Sequence, residues 1–550
     1  MSKIDDNTGY DNSNAITRNI HNDYKLDLTD LPNDVFFLIC SYLSPQDCVR
    51  CRRVSRLWFR VFASEDTSRS FMRWYFPRCR EMRQFAEEPE PEREADEKPN
   101  WSRIFANVAR RYFCLRSAKP RSVGKIMLLR SPDNWLPVDP WFRRLYCDHK
   151  IVVFDYFEPS WTVDRGLLVY LDPIPERFIA FDLETRNGVS VPFDTEGKYL
   201  RRVRLACDVL IIEWCEDRPC KEQTSDEDFY RHFTTAFDVV RRPYSSTWDI
   251  TFRSEWQFHP ACITITYYHR FFSVHTSTHY ALYLWTSEDS EQNLLSPREE
   301  LIIWDISKPS PYRVSLDPSG VNKPVPGSSE QGPVVINKFS HGDLNFLGLL
   351  QRNRPRLLEI LLDEANVYFH EEDHPWLVGA ESNPSPPRHH QVRCTGFPFS
   401  GIGPRWFDEC CADGDVSMSF CPRAGSLSRA LGNRPPGFSD SKSGTWPGWA
   451  PCWRHEEFPY LTVSHVVDAA AGVRIVARQC FMMKVLSSFV PPKISVQEER
   501  NGGSGIEDQL VEVRFEDAMW HRLLRSGKIM GDERWVVGDE SDRSITIVRF

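Results

Sequence analysis

The pattern of apolar and polar positions divides the chain into a short helical part and a long strand-rich part. Between residues 28 and 62, apolar side chains recur at the three- and four-residue intervals of amphipathic helices. From about residue 120 the pattern changes to short runs rich in Val, Ile, Tyr and Trp, such as IVVFDYF, GLLVYLD, DVLIIEWC and ELIIWDIS. Such runs, separated by Pro, Asn-Gly and Asp, are typical of consecutive strands and hairpins. We therefore predict an α+β multidomain chain in which a small helical module precedes a large all-β domain.

Changes in composition indicate the domain boundaries. The N-terminal residues are polar and aperiodic, the run EEPEPEREADE combines acids with Pro, and a later stretch is rich in Pro, Gly and Ser. We predict a disordered tail at 1–25, the helical module at 26–76, an acidic Pro-rich linker at 77–100, a linker helix at 101–119, a β-rich domain at 120–370 that closes at 460–550, and an irregular insertion at 371–459.

The helical module is predicted to contain two helices. Pro32 suits the first turn of a helix, where its missing N–H is harmless, and an apolar stripe follows at Val35, Phe36, Ile39 and Leu43. Ser44 to Asp47 resembles a capping box that starts a second helix. Along that helix we expect a buried side formed by Cys48, Cys51, Val54, Ser55 and Trp58. The outward side is expected to be basic and to consist of Arg50, Arg52, Arg53 and Arg56.

The order of residues in this module resembles the F-box, and fungal F-box proteins in particular. Leu-Pro, an apolar helix, Tyr-Leu, Ser-Pro-x-Asp and Val-Ser-x-x-Trp follow one another, with Asp34 and Cys48 as modest departures from the family pattern. In that family the Leu-Pro start and the apolar helix positions pack against the SKP adaptor, which bridges to the cullin. The resemblance therefore implies adaptor-binding residues at Leu31, Pro32, Val35, Ile39, Leu43, Val54, Ser55 and Trp58.

The resemblance implies a function as the substrate-recognition subunit of an SCF-type ubiquitin ligase. The partners would be the SKP adaptor, the cullin and RING subunit reached through it, and a protein client held by the β-rich domain. Such a subunit is non-catalytic and needs no cofactor, because it acts by proximity. Two alternatives remain open: an adaptor-binding F-box protein that acts outside the ligase in assembly or trafficking, and a β-domain enzyme in which the helix pair is incidental.

For the β-rich domain we predict a divergent β-propeller, with packed β-sandwiches as the alternative. The strand end in ELIIWDIS is similar to the Trp-Asp ends of WD-repeat propellers, and the whole segment ELIIWDISKPSPYRV resembles β-rich regions of fungal F-box proteins. A regular Gly-His partner and a repeat of about forty residues are missing, so a propeller in this chain would be divergent.

Composition and charge narrow the function classes further. The 550 residues include 41% hydrophobic and 13% aromatic residues, which is a globular composition, and the net charge of −9 says little about partners. The 16 Cys lack the spacing of a disulfide scaffold, and the N-terminus lacks the apolar core of a signal peptide, so we expect reduced thiols and a location in the cytoplasm, the nucleus or both.

Two other kinds of site are considered and set aside. Among the Cys and His of the predicted insertion only Cys452-x-x-His455 has a ligand spacing, so we predict no zinc site. The basic, aromatic stretch at 101–130 is better explained by a solvent-facing helix than by nucleic-acid binding. No nucleophile elbow, metalloprotease motif or phosphate-binding loop occurs, so the sequence offers no catalytic residue.

Overall fold

The structure is a computed structural model, and it divides the chain into two compact units, residues 1–113 and 114–550. It describes residues 28–87, 99–128, 133–138, 143–147, 150–154, 158–220, 228–242, 247–259, 262–265, 269–286, 298–328, 330–352, 357–373, 391–399, 406–411, 420–421, 450–451, 460–480, 493–498, 511–541 and 543–550. The predicted tail at 1–25 lies outside these residues. No helix within them is long and apolar enough to span a membrane.

The first unit is helical. A 3-10 turn at Leu28–Asp30 precedes α1 (Asn33–Cys40), α2 (Pro45–Cys51), α3 (Arg56–Phe62), α4 (Glu65–Tyr75), α5 (Arg80–Glu87) and α6 (Trp101–Arg116), the last of which runs on into the second unit. Three of these helices begin in the same way. The hydroxyls of Ser44, Ser55 and Ser64 accept hydrogen bonds from the N–H groups three residues later, at 3.2, 3.1 and 3.2 Å. Serine N-caps of this kind set where each short helix starts.

The core of the helical unit is aromatic and draws on α6. Phe62 packs against Phe36 and Phe71, with ring centroids 5.2 and 6.1 Å apart, and Phe71 packs against Phe105 of α6 at 5.3 Å. The main chain of α6 is held at its start, where the Trp101 N–H donates to Glu65 at 2.7 Å. Two predictions are corrected here: the helix predicted as a linker contributes to the core, and the predicted linker at 77–100 contains α5.

The second unit is a six-blade β-propeller arrangement of four-stranded antiparallel sheets. Blade 1 contains β4 (Trp161–Asp164), β5 (Leu167–Pro173), β6 (Glu176–Asp182) and β7 (Gly188–Ser190). Blade 2 contains β8 (Lys198–Ala206), β9 (Val209–Glu216), β11 (His232–Arg241) and β12 (Trp248–Gln257). Blade 3 contains β14 (His269–His275), β15 (His279–Thr286), β16 (Arg298–Asp305) and β17 (Val334–Phe339).

Blades 4 and 5 follow in chain order, and blade 6 joins the two ends of the unit. Blade 4 contains β18 (Leu357–Leu362), β19 (Asn366–Asp373), β20 (Gln391–Pro398) and β21 (Trp406–Cys411). Blade 5 contains β24 (Tyr460–Asp468), β25 (Val473–Cys480), β26 (Lys493–Glu498) and β27 (Val511–Arg514). Blade 6 contains β28 (Met530–Gly531), β29 (Trp535–Ser541), β30 (Ser544–Arg549) and, beside β30, the early strand β1 (Ser122–Met127).

The remaining elements lie outside the blade sheets. Strand pairs are formed by β2 (Arg143–Cys147) with β3 (Lys150–Phe154), β10 (Phe229–Tyr230) with β13 (Ile263–Thr264), and β22 (Phe420–Cys421) with β23 (Ala450–Pro451). A 3-10 turn at Val314–Leu316 and the helices α7 (His341–Leu347) and α8 (Ala518–Leu523) complete the described elements.

The blades share their cores in pairs. One apolar cluster joins blades 1 and 2 around Trp214, the next joins blades 2 and 3 around Phe258, and another joins blades 3 and 4 around Phe369. A fourth cluster joins blade 6 to blade 1 through Trp535 and Trp161. The first strands of neighbouring blades are also in contact, β4 with β8, β14 with β18, β24 with β28 and β28 with β4. The propeller prediction is therefore confirmed, and the β-sandwich alternative is not needed.

Two predictions about the second unit are corrected. The predicted insertion at 371–459 includes β20 and β21, which complete blade 4. The run QVRCTGFP was not recognised as a strand because the sequence that flanks it is rich in Pro, Gly and Ser. Cys220 and Cys262 are joined by a disulfide, so these cysteines are not the reduced thiols that the sequence suggested.

Candidate functional site

Helix α1 has two apolar faces, and only one of them is buried. Phe36 and Cys40 point into the aromatic core, whereas Val35, Leu38, Ile39 and Tyr42 are exposed at 38%, 61%, 38% and 86%. The exposed positions recur at three- and four-residue intervals, so they form one stripe along the helix and the turn that follows it. An exposed apolar stripe of this length is typical of a surface that a partner covers.

A second group of exposed apolar side chains lies at the start of α3. Val54, Leu57 and Phe59 are exposed at 62%, 43% and 55%. Together with Val35, Leu38, Ile39 and Tyr42, these side chains are called the exposed apolar set. Seven large apolar side chains left in solvent by a unit this small indicate an interaction surface rather than the scattered exposure that is usual on monomers.

The structure places the sequence-predicted adaptor residues in different environments. Pro32, Val35, Ile39 and Val54 are exposed, and Leu31 and Leu43 are half-buried. Trp58 is half-buried and stacks on Phe62, with ring centroids 5.5 Å apart. Ser55 has a structural role, because its hydroxyl caps α3. Their contact with an adaptor remains a prediction.

The predicted second helix is in fact two helices. α2 ends at Cys51, residues 52–54 form a turn, and α3 begins after Ser55. The break follows from the cap: Ser55 is extended, and its hydroxyl accepts from the Trp58 N–H, which starts a new helix. Val54 is therefore exposed in the turn, and its prediction as a buried helix residue is wrong.

The Tyr75 side chain holds the end of α1 in place through hydrogen bonds. Its hydroxyl donates to the carbonyl oxygens of Cys40 and Leu43 at 2.7 and 3.1 Å, and the Cys48 thiol lies 3.7 Å from the same oxygen. Burial raises the pKa of the Cys40 thiol to about 12 and that of Cys48 to about 11. Both thiols therefore stay protonated and pack as small apolar groups beneath the exposed apolar set.

Arg52 ties the helices of the unit together, which corrects its prediction as an outward-facing residue. Its guanidinium donates to the carbonyl oxygens of Phe62 and Ser102 at 3.1 and 2.9 Å, and to the Ser68 hydroxyl at 3.2 Å. It also lies over the ring of Phe105, 5.7 Å from the centroid. These contacts link the end of α2 to α3, α4 and α6.

Four members of the exposed apolar set were not predicted from the sequence: Leu38, Tyr42, Leu57 and Phe59. The run VFFLIC is apolar at every position, so its pattern cannot tell the inward face from the outward one. The sequence did contain one indication of the outward face. Leu38 and Tyr42 are spaced so that they lie on the same side of α1 as the predicted residue Ile39.

A metal site is the other kind of site that the sequence raised. Among the described residues no three His, Cys, Asp or Glu side chains are grouped as a metal site. Cys452 and His455, the pair considered for zinc, lie outside the described residues.

Comparison with known proteins finds a family match within the first unit. Residues 28–71 match the F-box-like family model. No curated protein matches the chain. Among solved structures, the chain is similar to a chain of the mitotic checkpoint complex (8% identity, 78% of this chain and 95% of that chain, TM-score 0.31). It is also similar to Trypanosoma rangeli sialidase (9% identity, 78% of this chain and 59% of that chain, TM-score 0.32). A third similar structure is the Myceliophteria thermophila Cps50 (Swd1) β-propeller domain (10% identity, 78% of this chain and 100% of that chain, TM-score 0.27).

These TM-scores are low, so the propeller assignment rests on the strand order of the six sheets and on the contacts between neighbouring blades. The match at residues 28–71 covers the 3-10 turn, α1, α2, α3 and most of α4, and it includes the whole exposed apolar set. The chain therefore carries an F-box-like domain at residues 28–71, followed by a β-propeller-like all-β region.

Proposed function

We propose that this protein is the substrate-recognition subunit of an SCF-type ubiquitin ligase. Its F-box-like domain binds the SKP adaptor, and through it the cullin and RING subunit, while the propeller holds a protein client. The observation that carries the proposal is the exposed apolar set, which lies within the segment that matches the F-box-like family. An adaptor is the partner that this family uses to cover such a surface.

The helical unit supports this role because its core is complete without the exposed apolar set. Phe36, Phe62, Phe71 and Phe105 are almost fully buried among themselves, so α1 and α3 are held in place from the inside. The exposed side chains are thus pre-ordered on a rigid support, and binding does not have to order them first.

The propeller supports the client-holding part of the proposal. Propellers bind through the loops that connect their strands, which a rigid ring of blades holds in position. In this function the chain contributes no catalytic residue; it accelerates ubiquitin transfer by holding the client near a conjugating enzyme. The proposed location is the cytoplasm, the nucleus or both, where that machinery operates.

A binding titration against purified SKP adaptor tests the proposal. The double variant Leu38→Ala, Tyr42→Ala should weaken binding by about thirty- to a thousand-fold, because truncating one central apolar anchor removes about 2 to 4 kcal/mol. Leu31→Ala with Pro32→Ala tests the start of the motif in the same assay. Phe346→Ala is the matched control, because Phe346 is an equally large apolar residue, exposed at 73%, on α7 of the propeller unit.

Unchanged affinity in both double variants would overturn adaptor binding through this surface. Recovery of cullin and RING subunit with the wild-type chain, and client accumulation when the chain is deleted, distinguish a ligase receptor from an adaptor-binding protein that acts outside the ligase.

A further inference from the structure

A carboxylate, an imidazole and a thiol lie in one row across blade 4. Glu359 on β18 is directly opposite His370 on β19, and His370 is directly opposite Cys394 on β20. Residues that are opposite each other on neighbouring strands lie on the same face of the sheet, with side chains close enough to interact. The imidazole therefore stands between the carboxylate and the thiol.

The row lies on the face of blade 4 that is turned away from blade 3. Ile360 and Phe369 are the next residues on β18 and β19, and they belong to the apolar cluster that blade 4 shares with blade 3. Successive side chains of a strand point to opposite faces. Glu359 and His370 therefore point away from that cluster, and both side chains keep contact with solvent, at 34% and 33% exposure.

The His370 imidazole has a partner on each side. Its Nδ1 lies 3.0 Å from Oε1 of Glu359. Burial lowers the pKa of His370, but hydrogen bonds with Cys394 and Glu359 outweigh burial and raise it to about 9. The imidazole is therefore protonated at neutral pH. An imidazolium has two N–H groups, so it can donate one to the carboxylate and the other to the sulfur.

Other cations near the row keep the carboxylate ionised. Burial alone would raise the pKa of Glu359, but the hydrogen bond from His370 and the nearby His465 outweigh burial and lower it. Lys528 adds to this effect. His465 lies on β24 of blade 5, so the charges come from two blades. An ionised Glu359 fixes the orientation of His370 and stabilises its protonated form.

This arrangement differs from a metal site and from a simple ion pair. Metal ligands converge on one point, whereas these three side chains follow one another across three strands, and the described residues contain no three-ligand group that could hold a metal. An ion pair needs only Glu359 and His370. The thiol next to the imidazole supplies a nucleophile, whose partner is in turn oriented by a third group, as in activated cysteines.

We propose that Cys394 is a thiol that reacts with hydrogen peroxide, activated by His370 and positioned in the propeller by Glu359. Cys394 forms no disulfide and is 5% exposed, so only a small reagent can reach its sulfur. An imidazolium beside a cysteine stabilises the thiolate, which is the form that reacts. The site makes the propeller responsive to peroxide.

The reaction converts the thiolate into a sulfenic acid. The sulfur attacks one oxygen of hydrogen peroxide, so that an S–O bond forms and the O–O bond breaks. The departing hydroxide takes a proton from the His370 imidazolium and leaves as water. The sulfur is oxidised, the peroxide is reduced, and the products are the sulfenic acid, water and a neutral imidazole.

Site-resolved mass spectrometry of the full chain tests this reaction. The folded protein is treated with hydrogen peroxide and a cyclic 1,3-diketone, which traps sulfenic acids, and labelling is followed at each cysteine. We expect Cys394 to be labelled about ten-fold faster than Cys207, because activation outweighs poorer access. Cys207 is an exposed cysteine, and Cys215 is a buried one. Burial raises the pKa of Cys215 to about 12, so it reports a buried thiol without activation.

His370→Asn tests the source of the reactivity. This variant should slow labelling of Cys394 about ten-fold and leave Cys207 unchanged, because it removes the cation beside the sulfur. Loss of structure would expose Cys394 and accelerate its labelling, so a slower rate reports lost activation. The matched control is His521→Asn, because His521 is an exposed histidine on α8 of the same unit.

Two results would overturn the proposal. One is labelling of Cys394 that is no faster than labelling of Cys215 in the wild-type chain, and the other is an equal rate at Cys394 in His370→Asn and His521→Asn. The proposal does not depend on adaptor binding. Cys394→Ser should bind the adaptor with the affinity of the wild-type chain, so failure of the thiol site and failure of the proposed ligase function are seen in separate measurements.

Discussion

Arg52 shows how much one side chain contributes to the helical unit. Its donors reach the carbonyl oxygens of Phe62 and Ser102 and the hydroxyl of Ser68, which are separated by many residues along the chain. The last carbonyls of a helix lack intrahelical partners, so the hydrogen bond to Phe62, the last residue of α3, satisfies a group that burial would otherwise leave unpaired. The exposed apolar set depends on this interior for its position.

Replacing Arg52 by Ala should loosen the helical unit. We expect Arg52→Ala to reduce the opening free energy by about 2 kcal/mol, because hydrogen bonds from a charged donor are lost and their acceptors stay buried. Hydrogen exchange of peptides from α4 and α6 should accelerate by about thirty-fold. Arg53→Ala is the control, since Arg53 is exposed in the same turn. Equal exchange in the two variants would contradict this role for Arg52.

The residues that the sequence could and could not predict differ in a physical way. Ser44 was predicted as an N-cap because Pro45 and Asp47 follow it in a recognisable order, and the structure confirms the cap. Ser55 has no such flanking signal, and the direction of Arg52 depends on contacts with Ser102, which is far away in sequence. Local patterns predict local hydrogen bonds, whereas the orientation of a long side chain is set by distant partners.

Neighbouring blades are joined by buried polar contacts as well as by apolar clusters. Glu299 on β16 is fully buried and accepts hydrogen bonds from the N–H groups of Gln351 and Arg352 at 2.7 and 2.6 Å, and from the Tyr283 hydroxyl at 2.5 Å. Gln351 in turn donates to Glu371 of β19 at 2.7 Å. This network connects blade 3 to blade 4 in addition to their shared core.

Glu299→Gln should weaken the joint between blades 3 and 4. Every group that contacts the carboxylate is a donor, so the amide nitrogen of Gln must face another donor at a cost of about 3 kcal/mol. We expect faster hydrogen exchange in β16 and β18 and a lower temperature of propeller unfolding. The control is Glu196→Gln, because Glu196 is exposed in the loop before β8. An effect no larger than that of the control would show that the apolar cluster alone holds the two blades together.

Strands were predicted where an apolar run rich in Val, Ile, Leu, Tyr or Trp stands between turn residues, and they were missed where the surrounding composition is that of a loop. The runs around β5, β9 and β16 were predicted from sequence, and the structure places them in blades 1, 2 and 3. β20 and β21 were missed because the sequence around them is rich in Pro, Gly and Ser. The pairing of β20 with β19, and of β21 with β20, depends on contacts between strands, which composition does not encode.

At the scale of the whole molecule, each unit has its own core. The helical unit is built on the Phe36, Phe62, Phe71 and Phe105 rings, and the propeller is built on clusters between its blades. The propeller also depends on its ends: β1 pairs with β30 from Ser122 opposite Arg549 to Met127 opposite Ser544. This pairing between the first and last blade strands completes blade 6, and blade 6 packs on blade 1.

Disrupting the pairing of β1 with β30 should therefore unfold the propeller while adaptor binding persists. Val548 is fully buried in β30, so Val548→Asp places an unpaired carboxylate in the core of blade 6 and should destabilise it by about 4 kcal/mol or more. Val123→Asp is the control, because Val123 lies directly opposite Val548 on β1 but is exposed at 41%. Hydrogen exchange should rise throughout the blades of Val548→Asp and stay low in α4 and α6, with the adaptor affinity of the wild-type chain. Loss of adaptor binding together with the propeller would mean that the helical unit cannot fold without it, and the two cores would then act as one cooperative structure.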